Sequence, residues 1–356
     1  MINVAITCNL SRSVWSGSIK QSAINLYDCL QSGSLNAFYL TPDANLSDFG
    51  RNHKAYNISQ ILFETFPKID VLILHGYSIP NEQLNKIIEK HNCKVVLYHH
   101  ENRIAIDQHN LLKGETFQFR MKHLSEIWVP DHHDYSVQYL KAFHATDAPV
   151  KTVPYLWSPF FIDSAKKGKN LTFDPNREPQ LLVMEPNANT SKTCLIPLLI
   201  CETFNRAFGK SCKSYSFFNT ASIKINKGAK NLISQFSASE QNKIFLNKGW
   251  KTFDAIDRLG QFILSHQSEN DLNYLYFESL HLGLPLIHNS ERLKGYGYFY
   301  EKYDINTASN QIYNAIINHE DNLKDYVSQN QELIKKYLPT NPVNIDFYKK
   351  SISQML

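Results

Sequence analysis

The 356-residue sequence predicts an α/β protein made of two doubly wound parallel-sheet domains. Three observations predict it. Short, continuous apolar runs alternate with segments of helical spacing, as sheets covered on both faces require. Nearly every run ends in polar or ionisable residues, as expected where strand carboxyl ends converge on a ligand edge. The pattern stops at a polar stretch, residues 161–179, and restarts at Gln180.

Residues 4–6 form the first strand. A small turn, Ser16-Gly17-Ser18, leads to a helix over 19–30 with Ile19, Ala23, Leu26 and Leu30 on one face. A glycine there would let backbone amides approach a phosphate or sugar. No GxGxxG is present, which argues against a dinucleotide oxidoreductase. Lys20 and Gln21 fall in the helix's first turn, with a ligand role and a surface role equally open. Residues 37–40, 69–75, 94–98, 127–130 and 150–154 are further strands. They deliver His75-Gly76, His99-His100-Glu101 and Asp131-His132-His133-Asp134 to one edge. The adjacent histidines should not share a pocket, because strand side chains alternate. Hydrogen bonding ranks first for these histidines, general base second and metal third, since no i, i+4 or carboxylate partner spacing accompanies them. Glu101 is the leading carboxylate for a general base, with Asp131 and Asp107 behind it.

In the second half, 180–184 restarts the pattern and runs into Glu185-Pro186-Asn187 and on to Lys192. A helix follows over 193–208, with Pro197 requiring a later start or a kink. Residues 214–219 are a strand. The run 259–290 is the most organised stretch: a buried strand, a polar turn, a helix over 273–282, Gly283 at a left-handed C-cap, Pro285, and the strand Leu286-Ile287-His288. Gly295 to Tyr300 reads as a tyrosine–glycine loop that either packs on a base or sugar or caps the sheet. Residues 307–338 read as helices, Pro339 and Pro342 break them, and 344–356 is a last helix.

Composition narrows the class. A hydrophobic fraction of 43% supports two real cores rather than bulk disorder. No apolar run of about 18 residues spans a membrane. The start MINVAITCNL has no basic leader, and the six cysteines lack CxxC spacing, so we expect reduced thiols, no zinc and a cytoplasmic location (the host cytoplasm if phage-encoded). Residues 1–160 carry 14 basic and 14 acidic side chains, so the net charge of +4 lies in the C-terminal part. Residues 206–251 hold nine Lys/Arg against Glu240 alone, interleaved with Tyr215, Phe217, Phe218, Phe236, Phe245 and Trp250. A phosphate or nucleic-acid surface is one reading. A solvated face beside core aromatics is the other, and the commoner.

Glu278-Ser279-Leu280-His281-Leu282-Gly283-Leu284-Pro285-Leu286-Ile287 resembles the nucleotide-sugar motif of retaining GT-B glycosyltransferases, the glycogen and sucrose synthase type. That motif carries two glutamates with seven residues between them; here Asn270 holds the first place, and Glu269 comes one residue early. The segments EPNANTSKTCLIPLLICETFNR, SENDLNYLYFESLHLGLPLIHNS and VPYLWSP also resemble a bacterial and phage GT-B-like family over nearly the whole chain. The resemblance implies two Rossmann-like domains facing each other across a cleft. It implies an acceptor domain at 1–160, a linker at 161–179, a donor domain at 180–338, and a helix at 339–356 crossing back to the first domain.

The resemblance further implies a metal-independent transferase with no cofactor beyond a nucleotide-sugar co-substrate, UDP-linked. Lys192 would hold the diphosphate, Glu278 the ribose, and Asn270 or Glu269 the sugar, with Asn187 and Gly17 as further donor contacts. His75 and His99 join Glu101 as catalytic candidates. Trp15, His100 and His132 are the acceptor-side candidates. Two acceptors stand open: a 5-hydroxymethylated pyrimidine of phage DNA, reached through the basic stretch, and a cell-surface saccharide. A non-catalytic nucleotide-sugar or nucleic-acid binding module is the alternative of another class.

Overall fold

The computed structural model describes residues 1–11, 13–15, 17–42, 53–115 and 120–356. The chain divides into two compact units, one of Met1–Ser158 with Lys335–Leu356, the other of Pro159–Ile334. No described helix is long and apolar enough to cross a membrane.

The first unit runs β1 (Asn3–Thr7), α1 (Ser18–Ser32), β2 (Asn36–Thr41), β3 (Ala55–Asn57), β4 (Val71–Leu74), α2 (Asn81–His91), β5 (Lys94–Tyr98), α3 (Arg103–Lys113), β6 (Glu126–Pro130), α4 (Val137–His144) and β7 (Val150–Val153). Its seven strands are all parallel, in the order β3-β2-β1-β4-β5-β6-β7. The apolar residues of β1, β4 and β5 are buried throughout, because helices cover both faces of such a sheet.

The second unit runs α5 (Phe160–Ala165), β8 (Gln180–Val183), α6 (Leu195–Phe208), β9 (Ser214–Phe217), α7 (Ala221–Ile225), α8 (Lys227–Ser234), α9 (Ser237–Glu240), β10 (Ile244–Leu246), α10 (Thr252–Arg258), β11 (Phe262–Leu264), α11 (Tyr274–His281), β12 (Leu286–His288), β13 (Tyr298–Phe299) and α12 (Ile305–Lys335). Its six strands are parallel in the order β10-β9-β8-β11-β12-β13. Pro197 is accommodated in the first turn of α6, where its missing N–H has no intrahelical partner to lose. The segment 161–179 is bonded to this unit: Arg177 donates to the carbonyls of Ile256 (2.8 Å) and Asp257 (2.9 Å), and Gln261 Nε2 to Thr172 O (2.9 Å).

Three sequence expectations change. The tyrosine–glycine segment holds the edge strand β13, which pairs with β12 and carries Tyr300 into the core. The 307–338 helices are one helix of 31 residues, α12. Pro342 does not break a helix but opens the last one, α13 (Pro342–Met355), where its fixed φ suits the first turn. Helix α13 packs on α1, and Tyr348 lies edge-on to Trp128 at 5.6 Å while its hydroxyl donates to Pro154 O (2.8 Å).

Candidate active site

In each sheet the strand order reverses once, between β1 and β4 in the first unit and between β8 and β11 in the second. A crevice opens at the carboxyl ends of such a strand pair, because the connections leave on opposite faces. The chemistry-bearing residues gather at those two places.

In the second unit, Glu185 follows β8 and Ser265, His266 and Gln267 follow β11. Glu185 is buried and accepts from Ser265 Oγ, from Gln267 Nε2 (3.0 Å) and from the His266 amide. Burial pushes its carboxyl up to about 7, and the Ser265 bond and the Lys192 charge oppose that rise. Ser265 Oγ also reaches Tyr276 OH on α11 (3.1 Å), so one carboxylate ties β8, β11 and α11 together. The Lys192 loop is joined to the β11 loop by Ser268 N donating to Ser191 O (2.9 Å).

Helix α11 begins where Asn273 Oδ1 accepts from the Tyr276 amide (3.1 Å), and it ends at Gly283, whose φ of +68° is the expected left-handed cap. That helix holds Glu278 in a buried place, 5% exposed. Among the described residues no donor reaches the Glu278 carboxylate, and burial alone pushes it up to about 8. Asn270 is buried, with Nδ2 donating to Gln267 Oε1 and to Leu272 O (3.4 Å). Glu269 is exposed, in the bend before Asn270, at φ +51°.

Asn187 lines a cavity of about 380 Å³ and is also bonded to the chain around it. Its Nδ2 donates to the carbonyls of Glu185 (3.2 Å), Phe218 (3.2 Å) and Asn219 (3.3 Å), and its Oδ1 accepts from the Cys194 amide (2.8 Å). The side chain therefore pins the β8 loop and the start of α6.

In the first unit, a cavity of about 430 Å³ is lined by His75, Tyr98, His99, His100, Glu101 and Arg103, among others. A second of about 370 Å³ shares Gly76, Tyr77 and Glu101 and adds Cys8, Gly17 and Lys20. Glu101 is half-buried and accepts from Ser18 Oγ at the start of α1 (2.7 Å). Both His99 and His100 line the larger cavity, contrary to the alternation argument, because they lie past the end of β5. His144 Nδ1 accepts from the Met121 amide (3.2 Å), so its Nε2 carries the proton toward His99 Nε2 (3.4 Å). His99 is thereby left with an N–H at its other nitrogen, a donor rather than a base, and burial holds it well below the usual histidine range.

His75 is fully buried, bonded through Nε2 to Ser22 Oγ (3.0 Å), and burial lowers it to about 3. His100 stacks on Tyr155 (5.6 Å). His132 packs against His133 (4.0 Å) and edge-on to Tyr155 (5.0 Å), and it lies outside the cavity lining. Asp107 is closed off as a base by Arg103 Nε (2.8 Å) and Tyr139 OH (2.7 Å). Gly17 caps α1 at φ 167°, an extended conformation open to any residue, and a Cβ there would meet open space. Ser16 lies outside the described residues, and Trp15 is half-buried in the turn before α1. Among the described residues no group of three His, Cys, Asp or Glu is placed to hold a metal ion.

Sequence reasoning missed Glu185, Ser265 and Gln267. The signal was present: Glu185 is a charged residue just past a buried strand, the same sign that singled out Glu101.

A family model described as "Protein of unknown function (DUF2827)" matches residues 2–352. The chain belongs to the DUF2827 family. No curated protein matches it. Among solved structures, this DUF2827 chain is similar to a glycosyltransferase from Rickettsia africae ESF-5, at TM-score 0.60 and 10% identity, covering 99% of this chain and 98% of that one. It is similar to Anabaena HepE in complex with UDP-glucose, at TM-score 0.59 and 9% identity over 99% and 100% of the two chains. It is also similar to the DNA-modifying enzyme beta-glucosyltransferase, solved with and without uridine diphosphoglucose, at TM-score 0.56 and 12% identity over 99% and 100%. At these identities the likeness shows the fold, which is GT-B: two parallel-sheet α/β domains.

Proposed function

We propose that this DUF2827 protein is a glycosyltransferase that takes its sugar from a UDP-linked donor held at the carboxyl edge of the β8–β11 sheet. One observation carries the reading: the buried Glu278 carboxyl has no donor among the described residues. A buried carboxyl without a partner is destabilising, and ribose hydroxyls are the donors that would offset it. Lys192, whose charge already acts on Glu185, supplies the cation that offsets charge developing on the leaving diphosphate. The likeness to proteins solved with UDP-glucose supports a uridine donor.

In the transfer, an acceptor hydroxyl oxygen forms the new bond to the anomeric carbon, the anomeric carbon–oxygen bond to the diphosphate breaks, and UDP leaves with that electron pair. Glu101 takes the hydroxyl proton if configuration inverts; the leaving diphosphate takes it if configuration is retained. For the acceptor, the reading is a 5-hydroxymethylated pyrimidine in DNA. Lys224, Lys227, Lys230, Lys248 and Lys251 are exposed on the second unit, which supports a polyanion, although Tyr215, Phe217, Phe218 and Phe236 belong to its core.

The test is mass spectrometry of protein mixed with UDP- and GDP-sugars, with and without hydroxymethylcytosine DNA. A sugar-sized gain on the nucleoside, lost in Lys192→Ala, is expected. Release of UDP without DNA modification keeps the transferase and moves the acceptor to a saccharide. No binding and no release with any donor would leave a binding module of another ligand.

A further inference from the structure

An asparagine side chain can present either an acceptor or a donor, and something must choose. Asn270 is buried beside the switch point of the second sheet. Its Nδ2 is committed to Leu272 O (3.4 Å) and to Gln267 Oε1. Gln267 can offer Oε1 in that direction only because its own Nε2 is turned to Glu185 Oε2 (3.0 Å). Above about pH 7 the Glu185 carboxyl is ionised; it then accepts and cannot donate, and with Ser265 Oγ, the His266 amide and Gln267 Nε2 all turned to it, it fixes the polarity of both amides. Ser265 Oγ and the His266 amide hold Glu185 in turn, and Ser265 is braced by Tyr276 OH (3.1 Å). The outcome is that Asn270 Oδ1 is the group left over, and it takes no hydrogen bond from a described residue.

Resting on the donor reading above, we propose that Glu185 is a positioning residue for the donor's sugar: through Gln267 it turns the Asn270 amide so that Oδ1 accepts a hydrogen bond from a sugar-ring hydroxyl. Glu185 itself touches no substrate. The relay places a carboxylate one residue layer behind the site and delivers its acceptor character through two neutral amides. A neutral acceptor serves a sugar hydroxyl without placing a further negative charge beside the donor diphosphate.

The groups facing Glu185 leave its charge as the variable one. From the α6 side come Lys192 and Cys194, the thiol pushed by burial up to about 12. From α11 comes Tyr276, and from beyond β13 Tyr300, both raised by burial. The His266 imidazole, on the β11 loop, is lowered by burial to about 4 and is neutral near pH 7.

The experiment is calorimetric titration of the full chain, at a pH about one unit above the Glu185 value of about 7 so that the carboxylate is ionised, with UDP and with UDP-glucose, UDP-galactose and UDP-N-acetylglucosamine. The quantity read is the ratio of the best sugar-bearing donor's affinity to that of UDP. Wild type is expected to show a ratio above one. Glu185→Gln, isosteric and able to donate, and Gln267→Met, which cuts the link but leaves Glu185 bonded to Ser265, should keep UDP affinity and lower the ratio about fivefold, the loss of one hydrogen bond. A fixed amide polarity gives a crossing result that packing alone would not give. Asn270→Asp alone should also lower the ratio, because with Nε2 held by Glu185 it is the Gln267 carbonyl oxygen, an acceptor, that faces the new carboxylate. Combined with Glu185→Gln, which frees Gln267 to turn, Asn270→Asp should recover it.

Equal loss of UDP and donor affinity in Glu185→Gln and Gln267→Met would show a merely structural role and overturn the proposal. So would an unchanged ratio, additive behaviour of the double variant, or a wild-type ratio of one. If wild type binds no uridine ligand at all, the donor reading falls and takes the relay with it, an outcome distinct from loss of the ratio with UDP binding intact.

Discussion

At the scale of single residues, Glu278 sets a measurable pH dependence. Its carboxyl is pushed by burial from the ordinary value of 4.5 up to about 8. Between those values the folded chain holds a proton that the unfolded chain has released, so stability falls as pH rises through that window and levels above about 8. Glu185, raised to about 7, adds to the same slope. Glu278→Gln removes the titration while keeping the shape. We expect its melting temperature to match wild type below about pH 4, under the ordinary value of 4.5, and to exceed it at pH 9, as followed by thermal denaturation monitored by circular dichroism. A variant less stable than wild type at both pH values would mean that Glu278 has a partner in the folded chain. This residue was legible because its spacing to Gly283 and Pro285 is a local pattern. The Glu185–Gln267–Asn270 relay was not: Glu185 and Gln267 lie 82 residues apart, and only the adjacency of β8 and β11 brings them together. Asn187 has a second, structural role that was equally hidden. A polar residue in a ligand-side loop reads as a contact, and its bonds to backbone carbonyls at the end of β9 depend on a strand neighbour that local pattern does not name.

At the scale of elements, α11 depends on how it stops. Gly283 sits at φ +68°, and a Cβ there would come within 3.0 Å of Val327 Cγ2 on α12. Gly283→Ala should cost about 1–2 kcal/mol, the penalty of a left-handed conformation for a residue with a Cβ. Urea denaturation would measure it, and a loss below a few tenths would contradict the cap. The apolar strands and Gly283 itself were readable from short-range pattern, since a continuous apolar run bounded by polar residues has few other solutions in an α/β chain. β5 and β12 fall where the sequence puts them. The edge strand β13, two residues long, was not readable, because an edge strand is defined by the neighbour it pairs with and not by its own run. The His99-His100 pair misled for a related reason: alternation holds within β5 and lapses one residue past its end.

At the scale of the whole molecule, the chain end belongs with the chain start. Tyr348 is fully buried against Trp128, and its hydroxyl satisfies Pro154 O. Tyr348→Ala should destabilise the first unit by about 3–5 kcal/mol, as truncation of a buried aromatic does. Differential scanning calorimetry should show the transition of that unit moving down while that of residues 159–334 stays in place; a shift of both would contradict the assignment. The two-sheet architecture was legible because alternating strands and helices restart once, at Gln180. The topology that puts Glu185 beside Ser265 and Gln267 required the structure, since strand order is not written in local pattern.

The central claim is that Glu278 waits for ribose hydroxyls, and proton linkage tests it directly. UDP binding would be measured by calorimetry at pH 7 in two buffers of different ionisation enthalpy, for wild type and Glu278→Gln. Because the free carboxyl, at about 8, is protonated at that pH, accepting ribose hydroxyls should release a proton to the buffer. The account predicts proton release in wild type that Glu278→Gln lacks, with weaker UDP binding in the variant. UDP binding with the same proton balance in both proteins, or no UDP binding at all, would contradict it.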